Sequence, residues 1–175
     1  MKCLSSCFIV GVLLCLTGML PLSSLAQSAP ARAASMALGS GPGVHSPNSP
    51  IAPLPERADV VPWALLTAVR MRDGRKGPRP VFNAQQLALH FRLQRVQGFM
   101  MPLEPGEKQN HFLLSAVPLT CSFCIPGGPE SMVEVFARTA VKYTTEPLAV
   151  EGKFVVLEDD SSGMYYRMTH AVSVR

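Results

Sequence analysis

The sequence has no second Cys-x-x-Cys, no Gly-x-Ser-x-Gly, no phosphate loop, no His-Glu-x-x-His and no EF-hand spacing. These absences remove, in turn, a closed four-thiolate zinc site, the serine-hydrolase elbow, P-loop phosphate binding, zincin proteolysis and EF-hand calcium sensing. There is no long helical pattern and no internal repeat. Basic residues are not gathered densely: 16 Lys and Arg face 12 Asp and Glu, a mild excess that gives no sign of nucleic-acid binding, which normally shows a basic face.

What is present begins with a secretory signal. Lys2 supplies the positive start, and Phe8 to Leu20 is apolar apart from Gly11, Cys15, Thr17 and Gly18. Ser24-Leu25-Ala26 then places small residues at the positions read by a signal peptidase. An apolar run of about 7–15 residues marks a cleavable signal, whereas a spanning helix needs about 20. The expectation is therefore a Sec signal over 1–26, a periplasmic mature protein and no stable membrane insertion after cleavage. Three of the five cysteines (Cys3, Cys7 and Cys15) depart with the signal, leaving Cys121 and Cys124.

Residues 27–59 read as a disordered linker rich in Pro, Ala and Ser. They hold too few aromatic and β-branched residues to offset the entropy of ordering, and His45 within them is expected to be solvated. A single β-rich domain is expected over 60–175. Pro62 to Leu66 reads as a short helix with Pro at its first turn. Arg70 to Arg79 reads as a basic, mobile loop, with a patch for anionic lipid or an acidic partner as the functional alternative.

Apolar residues then recur with period two. Leu87, Leu89, Phe91 and Leu93 alternate with polar residues before the phase slips to Val96 and Met100, as a β-bulge eased by Gly98 would produce. Further strands are expected over His111–Val117, Met132–Arg138, Leu148–Val156 and Met164–Val174, with turns at Glu104–Glu107 and Asp159–Gly163. Five short strands with a bent first one predict a mainly β fold: a small five-stranded OB-like barrel or curled sheet with a short N-terminal helix. A small sandwich is the alternative.

Cys121-Ser122-Phe123-Cys124 is the one motif with chemistry. As a staple it is weak, since closing about four residues removes only about 2 kcal/mol of unfolded-state entropy. As a redox pair it lacks a helix N-terminus to lower the thiol pKa, because Ile125-Pro126-Gly127-Gly128-Pro129 cannot continue as a helix. As a metal half-site it needs further ligands. His111 and His170 are the leading candidates, with His90 and the methionines behind them as donors for zinc or another soft metal. Each histidine also has a bland alternative: His170 shares a strand face with Tyr166, Met168 and Val172, and His111 can simply be exposed. A pair oxidised after export and otherwise idle is the fourth reading. Glu158-Asp159-Asp160 reads as a solvated hairpin tip.

Three blocks resemble a known family. They are Gly98-Phe99-Met100-Met101-Pro102-Leu103, His111-Phe112-Leu113-Leu114-Ser115, and the Cys-x-x-Cys with Pro126-Gly127-Gly128-Pro129-Glu130 and Val133-Glu134-Val135. In order and spacing, over about Trp63 to Val174, they resemble exported bacterial proteins of domain of unknown function 3299 (DUF3299). The resemblance implies an envelope location and a compact OB-like domain, and it supplies no reaction. Some members are similar to proteins encoded beside envelope ABC transporters under zinc-starvation control, which favours metal handling and a transporter or other periplasmic protein as partner. The expectation is a non-enzymatic accessory protein binding zinc through Cys121 and Cys124 with His111 or His170. A non-catalytic interaction module with an oxidised Cys-x-x-Cys, or a thiol–disulfide exchange protein, is the alternative.

Overall fold

The computed structural model describes residues 42–74 and 77–175. The signal peptide over 1–26, the linker as far as residue 41, and Arg75 and Lys76 of the basic stretch lie outside the described residues.

Five strands form a closed barrel: β3 (Leu93–Pro102), β4 (Lys108–Ser115), β5 (Met132–Lys142), β6 (Leu148–Val156) and β7 (Tyr166–Val174), in spatial order β3-β4-β5-β7-β6. Four of the five pairings are antiparallel, and the β5–β7 pair is parallel. This is the OB-like arrangement expected from the strand count. The barrel closes through β3, which pairs with β6 over Leu93–Gly98 and with β4 over Phe99–Pro102. Gly98 stands at the changeover, where a Cβ would lie 2.8 Å from the Ser115 carbonyl oxygen, so only glycine lets the two strands approach.

Alternation along the strands fills the barrel. Val96, Phe112, Leu114, Val133, Val135, Val150, Phe154, Tyr166 and Met168 are fully buried, and Met100 is nearly so. One end is closed by α1 (Trp63–Leu66) and α2 (Ala84–Leu87). Leu66 is inserted into the core, and Gln86 ties the two helices to the barrel. Its side-chain amide donates to the carbonyls of Leu65 (2.9 Å) and Leu66 (3.2 Å) and to Tyr166 Oη (3.2 Å). Tyr166 Oη in turn donates to the Leu66 carbonyl at 2.7 Å. The last carbonyls of a short helix have no partner within it, and here they find buried ones.

Two stretches differ from the sequence expectation. The Leu87–Leu93 alternation is not strand: Asn83 and Gln86 form a reciprocal capping box that starts α2, and β3 begins only at Leu93. Leu87, Phe91 and Leu93 are consequently exposed, while Leu89 packs on the core. The basic stretch contains a two-stranded hairpin, β1 (Arg70–Arg72) against β2 (Arg79–Val81). Among the described residues no helix is long and apolar enough to cross a membrane.

Residues 42–59, which composition places in the linker, lie against the barrel as a strap. Val44 and Ile125 exchange both backbone hydrogen bonds, at 2.8 and 2.9 Å. Farther along, the Gln97 amide donates to the Pro55 carbonyl. Arg57 pairs with Asp59 at 2.7 Å, Asp59 with Arg95 at 3.0 Å, and Arg95 with Glu151 at 2.6 Å. Arg57 also donates to the Arg175 carbonyl at 3.2 Å. Backbone groups and ion pairs hold this stretch, and an apolar-content argument does not count either.

Candidate functional site

Residues 116–131 form the long loop between β4 and β5, fastened at its base by the Ala116 N–H donating to the Ser131 carbonyl at 3.1 Å. The Cys-x-x-Cys turns sharply within it: the N–H of Cys124 donates to the Cys121 carbonyl at 3.2 Å. Cys121 and Cys124 are joined as a disulfide with their Cα atoms 5.4 Å apart, inside the usual range. From Ile125 to Gly128 the chain after Cys124 is not helical, as its prolines and glycines require, and one 3-10 turn follows over Pro129–Ser131.

The loop and strap form one unit. Cys121 is buried at 7% exposure and, like Phe99, Leu113 and Val117, lies outside the main core. Gly43 of the strap fits closely against the loop, since a Cβ there would lie 2.9 Å from the Gly127 nitrogen and 3.3 Å from Val117. Ser49 Oγ sits 3.3 Å from Cys121 Sγ, and because a disulfide sulfur carries no proton the hydroxyl is the donor. The rim is apolar and open: Phe123 is 63% exposed, Val44 42% and Ile125 40%. Nε2 of His45 is buried and has no hydrogen-bond partner among the described residues.

The histidines expected to complete a metal site are engaged or placed elsewhere. His111 lies half-buried on β4. Its Nε2 is 2.9 Å from Glu134 Oε1, and its ring stacks on Phe136 with centroids 4.3 Å apart. Glu134 Oε2 accepts from Arg167 at 2.6 Å, and Arg167 reaches Asp160 at 3.1 Å. The result is a mutually satisfied ladder across the outer face of β4, β5 and β7. His170 does not share the face of Tyr166 and Met168. The β6–β7 register shifts between Glu151 and Lys153, His170 takes a left-handed backbone at φ 54°, and burial resumes at Ala171. His170 is left exposed. His90 accepts the Val156 N–H on Nδ1 at 3.0 Å.

Among the described residues, no three of His, Cys, Asp and Glu gather as a metal site, and the thiolates a zinc ion needs are bonded to each other. At the Glu158–Asp160 tip, Glu158 and Asp159 are solvated as expected and Asp160 is not. Asp160 is only 10% exposed at its side chain and accepts from the N–H groups of Ser162 and Met164, at 3.0 and 3.2 Å. Burial opposes its ionisation, but those two donors and Arg167 outweigh it and hold the carboxyl below its ordinary range.

A groove of about 600 Å³ runs between strap and α1, lined by Leu54, Pro55, Val61, Trp63 and Gln97 among others. Among its polar lining residues, Trp63 donates to the Gln97 carbonyl, Gln97 to the Pro55 carbonyl, and Arg57 is paired with Asp59.

Sequence reasoning found the Cys-x-x-Cys and missed Ser49, His45, Glu134 and Arg167. The last two had a signal: with Val133 and Val135 pointing inward, Glu134 must share the outer face with Phe136. The first two had none, because they reach the loop only through a bridge between residues far apart in sequence.

No family model and no curated protein matches the chain. It is similar to the crystal structure of a DUF3299 family protein from Pseudomonas aeruginosa PAO1, with 23% identity, 75% of this chain and 91% of that chain covered, and a TM-score of 0.41. That structure bears the family name which the sequence blocks resemble.

Proposed function

We propose that the chain is an exported, non-catalytic interaction module of the bacterial envelope, with its Cys-x-x-Cys oxidised and its β4–β5 loop as the contact surface. The observation that carries this reading is the Cys121–Cys124 disulfide itself, set in a loop whose rim exposes Phe123, Ile125 and Val44. Large apolar side chains gathered at the rim of an otherwise ordered loop mark a protein contact. The partner implied is a periplasmic protein, or the periplasmic part of an envelope transporter, presenting an apolar surface to that rim.

The zinc reading has less support. It requires both cysteines reduced and a third ligand, whereas His111 is held by Glu134 and His170 sits at the β7 bulge.

A photo-crosslinking side chain at Phe123 of the full exported chain tests the proposal in cells. The expected result is one discrete adduct that disappears when export is blocked and is absent with the same group at Lys142, on β5. No adduct, or equal labelling from both positions, would overturn it. Titrating the reduced protein with Zn²⁺ is the complementary measurement: binding tighter than micromolar that is lost in Cys121→Ser restores the metal reading in its place.

A further inference from the structure

We infer that Cys121–Cys124 is an exchangeable disulfide that accepts electrons from dithiols, with His45 and Ser49 as the groups that stabilise the two departing sulfurs. This shares the loop with the interaction reading and does not depend on it.

Val44 and Ile125 exchange both of their backbone hydrogen bonds as an antiparallel pair. One step outward from such a pair, the next residue on one strand faces the previous residue on the other, at the position where side chains of a regular ladder approach most closely. Continued one residue past this isolated bridge, the register pairs His45 with Cys124. With the alternation of a strand, both would lie on the side away from Val44 and Ile125, whose side chains are exposed. Cys124 and His45 are each only partly exposed.

His45 Nε2 is buried without a hydrogen-bond partner among the described residues. A buried polar atom left without a partner in a folded protein calls for a reason. A neighbouring sulfur that becomes charged during reaction provides one. In exchange proteins that carry a Cys-x-x-Cys at a helix N-terminus, the helix stabilises the thiolate, and an adjacent imidazolium can do the same. Here there is no helix, and the strap supplies the imidazole.

The two sulfurs differ in access. Cys121 is 7% exposed and backed by the Ser49 hydroxyl at 3.3 Å, whereas Cys124 is partly exposed. An incoming thiolate therefore attacks Cys124 Sγ. The Cys121–Cys124 bond breaks, Cys121 leaves as a thiolate accepting the Ser49 O–H, and a mixed disulfide joins Cys124 to the donor. The donor's second thiolate then attacks its own sulfur in that bond, and Cys124 leaves as a thiolate beside His45. The donor dithiol loses two electrons and becomes a disulfide. The Cys121–Cys124 pair gains those two electrons, and the two protons released by the donor thiols balance the charge.

The test uses the purified mature chain and dithiothreitol. The wild-type disulfide is expected to be reduced within minutes at neutral pH without unfolding, and His45→Gln to slow this by about a hundredfold, the lower end of what a placed proton-transfer group supplies. The reduced wild type is expected to show thiolate absorbance near 240 nm at neutral pH that His45→Gln lacks, a signature that loss of strap packing alone would not produce. Should His45→Gln undock the strap, the single-cysteine variants decide: Cys121→Ser, which keeps Cys124, is expected to form a mixed disulfide with oxidised glutathione faster than Cys124→Ser. A bridge that resists dithiothreitol until the protein unfolds, equal rates in wild type and His45→Gln, or equal reactivity of the two single-cysteine variants would overturn the inference. A crosslink from Phe123 with an inert bridge leaves the interaction reading standing alone, and a reactive bridge without a crosslink does the reverse.

Discussion

Where α1 and α2 close the barrel, Leu66 and Gln86 are wholly buried and each polar atom of the Gln86 side chain has a partner. Where the strap crosses the β4–β5 loop, contact depends on one backbone bridge and the hydrogen bond from Ser49 to the disulfide, and a buried imidazole nitrogen is left over. Both regions join segments remote in sequence to the same barrel. The difference lies in what water can reach. Buried apolar area and satisfied polar groups are felt by the whole domain, while solvent-accessible pairings open locally at small cost. A region with low opening cost is where a loop can change its bonding state without unfolding the fold beneath it.

Substitutions should separate the two regions. The largest effect is expected from Leu66→Ala, which leaves a cavity at the helix–barrel junction and should cost about 2–5 kcal/mol in denaturant unfolding. Gln86→Ala removes half of the capping box and one of the two donors to each of the Leu65 and Leu66 carbonyls, Ala68 N–H and Tyr166 Oη remaining, and should cost about 1–3 kcal/mol. Replacing both Cys121 and Cys124 by Ser should lower global stability by about 2 kcal/mol or less, while amide exchange at Val44 and Ile125 accelerates and that at Phe112 does not. Equal acceleration at all three sites would show that strap and barrel open together and would remove the distinction drawn here.

The smallest effect concerns the far end of the strap. Arg57, and then Arg95, hold the Asp59 carboxyl well below the usual range. A depressed folded-state value means that the pairing contributes fully above the unfolded value of about 4 and is lost only as pH falls through the lower folded one. The strap's end should therefore stay docked to well below pH 4, followed by amide exchange near Asp59. Asp59→Asn should release it at neutral pH with little change in global unfolding, as expected for a solvent-screened pair.

Much of the barrel is legible in the sequence, because alternation in Val133–Val135 or Phe154–Val156 dictates which side faces inward whatever the neighbours are. The β-bulge expected at Gly98 is absent: the register of β3 runs through Gly98 without a shift, and the residue marks the changeover from β6 to β4. The misread segments are those where a local signal competes with periodicity. Asn83-x-x-Gln86 is a helix start lying directly before the Leu87–Leu93 alternation, and the bulge within β7 at His170 resets the phase of that strand. At the site, the cysteines could be seen and their surroundings could not. His45 and Ser49 lie in a stretch whose composition argues against order, and their position follows from backbone pairing, to which side-chain statistics are blind.

The parallel β5–β7 pairing bears on the order in which the chain can be assembled. β7 comes last of the five strands in the chain, yet it is inserted between β5 and β6 and hydrogen-bonds to both. Until it arrives, β3 to β6 can make only an open sheet with two unpaired edges, the kind of surface that invites association with other chains. A chain translocated amino terminus first would therefore present an unfinished sheet until Val174 had crossed, and a stop codon placed just before Tyr166 should give aggregates instead of a slightly shorter barrel.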